Sequence, residues 1–264
     1  MVELFLILRN HHELVWELVT REFSGRYRGS FGGVIWSFVQ PLFLLAVYTI
    51  AFGVILKSRW GFPGSTGDYT LLLFAGLIIF NAFSECLNRA PVLVTANSHF
   101  VNKVVFPLEI LSVVMVLTAL FHALIGVAVW FIGHLLLFGL PKPTAFLFPL
   151  VLICFSPILL GLGWLLSAVG VIVRDISQLT GTLSHMLLFL TPIFYSVDAA
   201  PPMLQRLLML NPLTFVVEQF RAVLYFGRGP DLTGLTAYFL FSSLFAWGSL
   251  LLFRRLRPGF ADMV

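Results

Sequence analysis

The chain has 264 residues, 59% hydrophobic and only 11% charged, with 28 phenylalanines and a net charge of +4. A soluble domain carries about 25% charge, so this composition excludes a soluble protein and specifies an integral membrane protein. The length leaves room for about six membrane-crossing helices with short connections, and none for a second soluble domain. The expectation is one all-α membrane domain over residues 1–264. The basic residues sit near span ends and form no single stripe, which excludes a nucleic-acid partner. Cys86 and Cys154 fall inside apolar runs and read as buried free thiols.

Residues 2–8 are too short an apolar core for a cleavable signal peptide, and charge follows them. Residues 10–32 read as an amphipathic helix lying on the bilayer surface. At 100° per residue, Leu14, Val15, Leu18, Val19 and Phe23 share one arc, and Glu13, Glu17 and Arg21 share the other. Glu22 projects from the apolar arc. Either it frays outward at the helix end, or it meets a partner or a basic residue beneath the helix. Arg26 and Arg28 follow at the headgroup level.

The first span is expected over 34–56, kinked at Pro41. The second covers 69–87. A connection over 91–106 is helix-capable but too polar to span. The third and fourth spans cover 110–137 and 145–173. The fourth carries Gly161, Gly163, Ser167 and Gly170, a face that lets helices approach closely, within one subunit or between two. Arg174 and Asp175 interrupt the apolar run before a fifth span over 176–195. Residues 196–230 hold two apolar pieces too short to span, punctuated by Pro201-Pro202 and Asn211-Pro212. They read as re-entrant or interfacial helices forming an outer hairpin. A sixth span covers 232–253. With the N-terminus inside, the larger share of the 16 basic residues falls on the inner side, so both termini are expected in the cytoplasm.

Several chemistries are missing from the sequence. No Gly-x-x-x-x-Gly-Lys-Ser/Thr run exists to cradle ATP, and no His-Glu-x-x-His or Cys-x-x-Cys points to a metal. Glu85 and Glu109 flank the inner connection rather than the midplane, which argues against a proton relay. His122 reads as a packing residue. No acid–base pair can be assembled for an intramembrane enzyme. The work must come from a partner, or the chain is a passive path.

A set of fragments in the right order points to a family. Arg21-Glu22-Phe23, Arg26-Tyr27-Arg28-Gly29-Ser30, Gly32, Trp36 and Pro41 open it. Asn97 to Glu109, Val173-Arg174-Asp175-Ile176, Thr191-Pro192-Ile193-Phe194-Tyr195, Pro201-Pro202 and Asn211-Pro212 continue it. Over nearly its whole length the chain resembles the permease subunit of ABC-2 type polysaccharide exporters. Gly33 departs from the family, which often has a bulkier residue there.

The resemblance implies the six-helix ABC-2 (type V) exporter fold and a homodimer in the bacterial inner membrane. It implies two copies of a separate ATPase subunit carrying ATP and Mg²⁺, with no cofactor on this chain. The cargo it implies is a lipid-linked polysaccharide. O-antigen comes first, and capsular polysaccharide or teichoic acid are the alternatives. Glu13, Glu17, Arg21 and Glu22, with Asn97, Ser98, Phe100 and Lys103 of the coupling segment, would contact the ATPase. Arg174 and Asp175 would lie beside them. Arg26 and Arg28 would meet the carrier pyrophosphate, unless they serve only as positive-inside anchors. Trp36, Tyr48, Phe80, Phe189, Phe194 and Tyr195 would line the path; each alone reads equally as lipid-facing or packed between helices. A drug or small-lipid exporter and a lipid-modifying enzyme are the competing functions.

Overall fold

The computed structural model describes residues 9–27, 31–55, 65–101 and 106–263. Lys103 and Arg28 lie outside the described residues. All regular elements among the described residues are helical. We number the main ones α1 (His12–Tyr27), α2 (Trp36–Tyr48), α3 (Thr66–Arg89), α4 (Glu109–Phe138), α5 (Phe148–Ile172), α6 (Ile176–Leu190), α7 (Pro202–Leu210), α8 (Pro212–Arg221) and α9 (Leu232–Leu256).

The molecule is built around α3. Its N-terminus is fixed by a capping box: Ser65 Oγ accepts from the Asp68 amide, and the Ser65 amide donates to the Asp68 carboxylate at 2.5 Å. From Tyr69 onward the helix is buried nearly all round, with Leu71, Leu72, Leu73, Ala75, Ile79 and Cys86 at 0% exposure. A helix apolar on every side belongs in a core, and α4, α5, α6 and α8 surround this one. Trp130 of α4 is fully buried and donates its indole N–H to the Leu71 carbonyl at 3.0 Å. Cys86 and Cys154 are buried free thiols.

Among the described residues, four helices are long and apolar enough to cross a membrane: α3, α4, α5 and α9, over the stretches Gly67–Val92, Glu109–Phe138, Pro143–Ile172 and Leu232–Phe260. The stretches expected as first and fifth spans hold shorter apolar helices, Trp36–Ala51 and Ile176–Leu190. Pro41 lies inside α2, which runs into a π-helical stretch, Thr49–Ile55. α6 has 15 residues. At 1.5 Å per residue it reaches about 22 Å, short of a hydrocarbon core of about 30 Å. It stops because Thr191 leaves helical geometry ahead of Pro192. The helices α7 and α8 meet at Asn211 with a bend of 94°.

The small-residue face of α5 serves packing within this chain. A Cβ on Gly161 would press on Phe245 and on the Ala246 backbone of α9, and one on Gly163 would lie 3.1 Å from Ser112 of α4. A Cβ on Gly170 would overlap the Pro91 carbonyl in the turn after α3. That atom is backbone and cannot step aside alone. Gly170→Val is therefore expected to lower stability by about 3 kcal/mol through overpacking. Thermal unfolding of detergent-solubilised protein checks this, and an unchanged Tm would refute the contact.

Candidate functional site

The amphipathic helix α1 lies against α4. Val15 and Val19 pack on Ile110 and Val114, and Trp16 meets Phe121 edge-on at 5.8 Å. Its charged face stays in solvent, with Glu13, Glu17 and Arg21 exposed. These three share an open groove along α1 with Trp16 and Thr20.

Glu22 does not fray. It forms an ion pair with Arg89 at the C-terminus of α3. Arg89 also reaches Glu85 one turn back at 2.9 Å, and Glu85 accepts from Arg26 at 2.5 Å. His122 of α4 closes the chain, with Nδ1 at 2.9 Å from Glu85. Charges alternate along this run: Glu85 sits between Arg26 and Arg89, and Glu22 meets Arg89, so no charge is left buried alone. His122 is thus part of an ionic junction as well as a packing residue, and Phe23 lies over its ring at 5.4 Å. Arg26, a candidate pyrophosphate ligand, pairs with Glu85 and lies 3.4 Å from His122 Nδ1, with its side chain 41% exposed.

The segment expected to serve coupling begins at the same end of α3. Asn97 donates back to the Leu93 carbonyl at 2.9 Å and closes a 3₁₀ turn. The short helix Ser98–Val101 follows, and Phe100 stacks on Phe106 at 4.2 Å. Arg21, Glu22 and Asn97 line one cavity of about 210 Å³ with Arg89. Ser98 and Arg174 line another of about 330 Å³ with Gly170 and Met263. Asp175 is exposed beside Arg174 in the turn between α5 and α6. Those of the residues expected to meet an ATPase that the structure describes therefore gather at one end of the helix bundle.

The expected path aromatics divide. Phe194 lies 6.1 Å from Tyr48 and 5.6 Å from Phe189, and Tyr195 donates its hydroxyl to the Phe189 carbonyl at 2.8 Å. These four form one group. Trp36 stands 48% exposed on α2. Phe80 is 5% exposed in the core of α3, so its ring is taken up by helix packing and presents no wall to an open path.

Two charged centres were not legible as sites. Glu109, at the first residue of α4, is 3% exposed and held by Arg254 at 3.2 Å and Arg257 at 3.3 Å. Arg257 also donates to the Phe106 carbonyl at 3.1 Å, and Trp164 of α5 donates to the Glu109 carbonyl at 3.1 Å. Arg221 of α8 is fully buried. Its one visible signal was a charge inside an apolar piece. Arg221 donates to the carbonyls of Leu72 (2.9 Å), Pro192 (2.6 Å) and Ile193 (3.0 Å), and pairs with Glu218 at 2.8 Å. The ionic junction and Arg221 thus mark opposite ends of α3.

The sequence pattern of the ABC-2 type transporter family matches residues 13–225. The chain is 27% identical over 266 residues to the O-antigen export system permease protein RfbA of Myxococcus xanthus, covering 100% of both. It is 22% identical to the RfbA protein of Klebsiella pneumoniae, covering 96% of this chain and 95% of that one. The polysialic acid transport protein KpsM of Escherichia coli is 28% identical over 84% of this chain and 86% of its own length. An all-helical multi-pass architecture with a surface helix at one end, and a family match running through both, leave one assignment: the chain belongs to the ABC-2 type transporter family as a membrane transport subunit.

Proposed function

We propose that this chain is the permease of an ATP-driven exporter of lipid-linked polysaccharide, with O-antigen as the first cargo to test. It works as a homodimer with two copies of a separate ATPase subunit in the bacterial inner membrane, both termini in the cytoplasm. The groove on α1 and the segment from Asn97 to Lys103 dock on the ATPase, which binds ATP and Mg²⁺. The bent hairpin of α7 and α8 lies at the outer side.

The observation that carries the reading is the surface of α6. Its exposed residues fall into two stripes. Leu179, Leu183, Met186 and Leu190 form an apolar one. Gln178, Thr182 and His185, with Phe189, form a second that is mostly polar. At 100° per residue the second stripe fits within about 60° of arc, rotated about 100° from the first. Amide, hydroxyl and imidazole groups at membrane depth are costly against hydrocarbon and suit a hydrated path. An amide, a hydroxyl and an imidazole beside one aromatic face, with no Asp, Glu, Lys or Arg among them, match a neutral sugar polymer that must slide. The names of the RfbA relatives support O-antigen. Capsular polysaccharide is the second reading, favoured by the likeness to KpsM.

Deleting the gene tests this. The expected result is lipid-linked polymer held inside the cell, a bare surface and intact synthesis, and the trapped polymer names the cargo. Restoring the chain with His185→Leu and Thr182→Leu is expected to return less surface polymer than the native chain. Normal surface polysaccharide in the deletion strain would overturn the proposal in favour of a drug or small-lipid exporter.

A further inference from the structure

Two kinds of contact hold α1, and they repeat differently along its axis. The helix crosses α4. On one flank Trp16 and Phe23 meet Phe121, at 5.8 and 6.5 Å between ring centres. On the other flank Leu18 and Glu22 border a cavity with Leu111 and Val114. Between the flanks Val15 and Val19 are buried. Val15, Val19 and Phe23 follow one another at four-residue steps and so form one row on the helix surface. A shift of α1 by one turn leaves an apolar side chain at each place in that row.

The neighbouring row reads Leu14, Leu18, Glu22, Arg26. Its two charges meet Glu85 and Arg89, which also stand one turn apart on α3. Glu22 pairs with Arg89, and Arg26 pairs with Glu85. A slide of one turn carries α1 about 6 Å along its axis. On the apolar row Val15 then takes the place of Val19, and Val19 that of Phe23. The charged row does not permit the exchange. A slide in one direction sets Glu22 against Glu85 and Leu18 against Arg89. A slide in the other sets Arg26 against Arg89. Each brings like charges together, which disfavours the wrong pairing. Space is not the obstacle, because Arg26 borders a cavity of about 220 Å³ between α2, α3 and α4, with Gln40 and Asn81 in its lining.

We propose that Glu22, Arg26, Glu85 and Arg89 are positioning residues that select one register of α1 on an apolar track that by itself accepts more than one. The order of charges on the two helices decides where the exposed groove of Glu13, Glu17 and Arg21 stands relative to Asn97. Both rungs are satisfied in the observed register alone. The proposal rests on the export reading only for what docks in that groove.

Spin-label distances test it on full-length chains in lipid nanodiscs. Cys86 and Cys154 are replaced by Ala, and labelled chains are diluted in unlabelled ones. A label at Ser24→Cys on α1 is paired with Leu136→Cys towards the far end of α4, or with Leu244→Cys on α9. All three positions are exposed, and the two references catch a slide in different directions. The native chain is expected to give one narrow distance for each pair. Glu22→Arg is expected to move α1 by one turn, until the new cation meets Glu85, and to shift at least one maximum by about 3–6 Å, the projection of that turn. Arg89→Glu is expected to shift it the opposite way, until Arg26 meets the new carboxylate. Glu22→Arg combined with Arg89→Glu is expected to return the native distances, since both rungs again join opposite charges. Either single variant serves if the other does not fold. An unmoved maximum in a folded single variant, a broad distribution in place of a displaced peak, or a displacement that the double variant does not reverse overturns the proposal. The measurement needs no polymer and no ATPase, so its failure leaves the export reading standing, and the gene deletion decides that separately.

Discussion

Replacing Arg221 with Met is expected to destabilise the protein by about 3–5 kcal/mol, since each buried carbonyl left without its donor costs about 1–3 kcal/mol. The side chain is 0% exposed and donates to three carbonyls on two separate segments. Met fills much of the space but donates nothing. The Leu72 carbonyl keeps the environment of helix α3. The carbonyls of Pro192 and Ile193 lie past the end of α6 and lose their strongest donors where water is scarce. Glu218 is 38% exposed and can turn to solvent, so its loss adds little. Arg221→Lys is expected to fall between, because a point charge cannot serve three carbonyls as a planar fork does. Thermal unfolding in detergent, with purification yield alongside, reads the effect. A Met variant as stable as the native chain would show that burial of this charge is not compensated by those carbonyls.

Replacing Glu109 with Leu is expected to cost about 2–3 kcal/mol, near the value for losing hydrogen bonds to a charged group. The carboxylate sits at the N-terminus of α4, where the helix dipole favours an anion. Without it, Arg254 and Arg257 face each other across an apolar side chain. Both are partly exposed, at 26% and 35%, and water relieves part of the repulsion. For that reason the loss is set below that at Arg221. The specific consequence lies in the segment Arg257–Asp262, which Arg257 binds through Glu109 and Phe106. Limited proteolysis is expected to remove this segment sooner from the Leu variant than from the native chain, with Glu109→Gln between them. Equal cleavage rates would place the anchor in the buried Phe260 ring instead.

The long helices were legible because their signals are local. Apolar runs bounded by Glu85, Glu109, Arg174 and Arg254 outline α3, α4, α5 and α9. The amphipathic arc of α1 follows from a 100° rotation alone. The layout of the candidate site was legible only where one element carries it, as on the exposed face holding Glu13, Glu17 and Arg21. Where chemistry depends on pairing, the partners lie far apart in sequence: Glu22 with Arg89, His122 with Glu85, Glu109 with Arg257, Arg221 with Pro192 and Ile193. Each is an ordinary charge on its own helix, and only the packing of helices decides whether it is solvated or shared. Phe80 shows the converse. Its position in an apolar helix fits a wall or a core equally, and the all-round burial of α3 selects the core.

The contact between α5 and α9 bears on how the molecule is made. Gly161 accepts the ring of Phe245 and the backbone at Ala246, and α9 brings Arg254 to Glu109. Of the helices described, α9 is the last to leave the ribosome. Until it arrives, the glycine groove on α5 is open to lipid and Glu109 lacks a cation. During synthesis the bundle therefore exists for a time as a half-sealed intermediate with a buried carboxylate waiting for its counterion. A pause or a lesion in translation before Leu232 would leave that unsealed seam for membrane quality control to find.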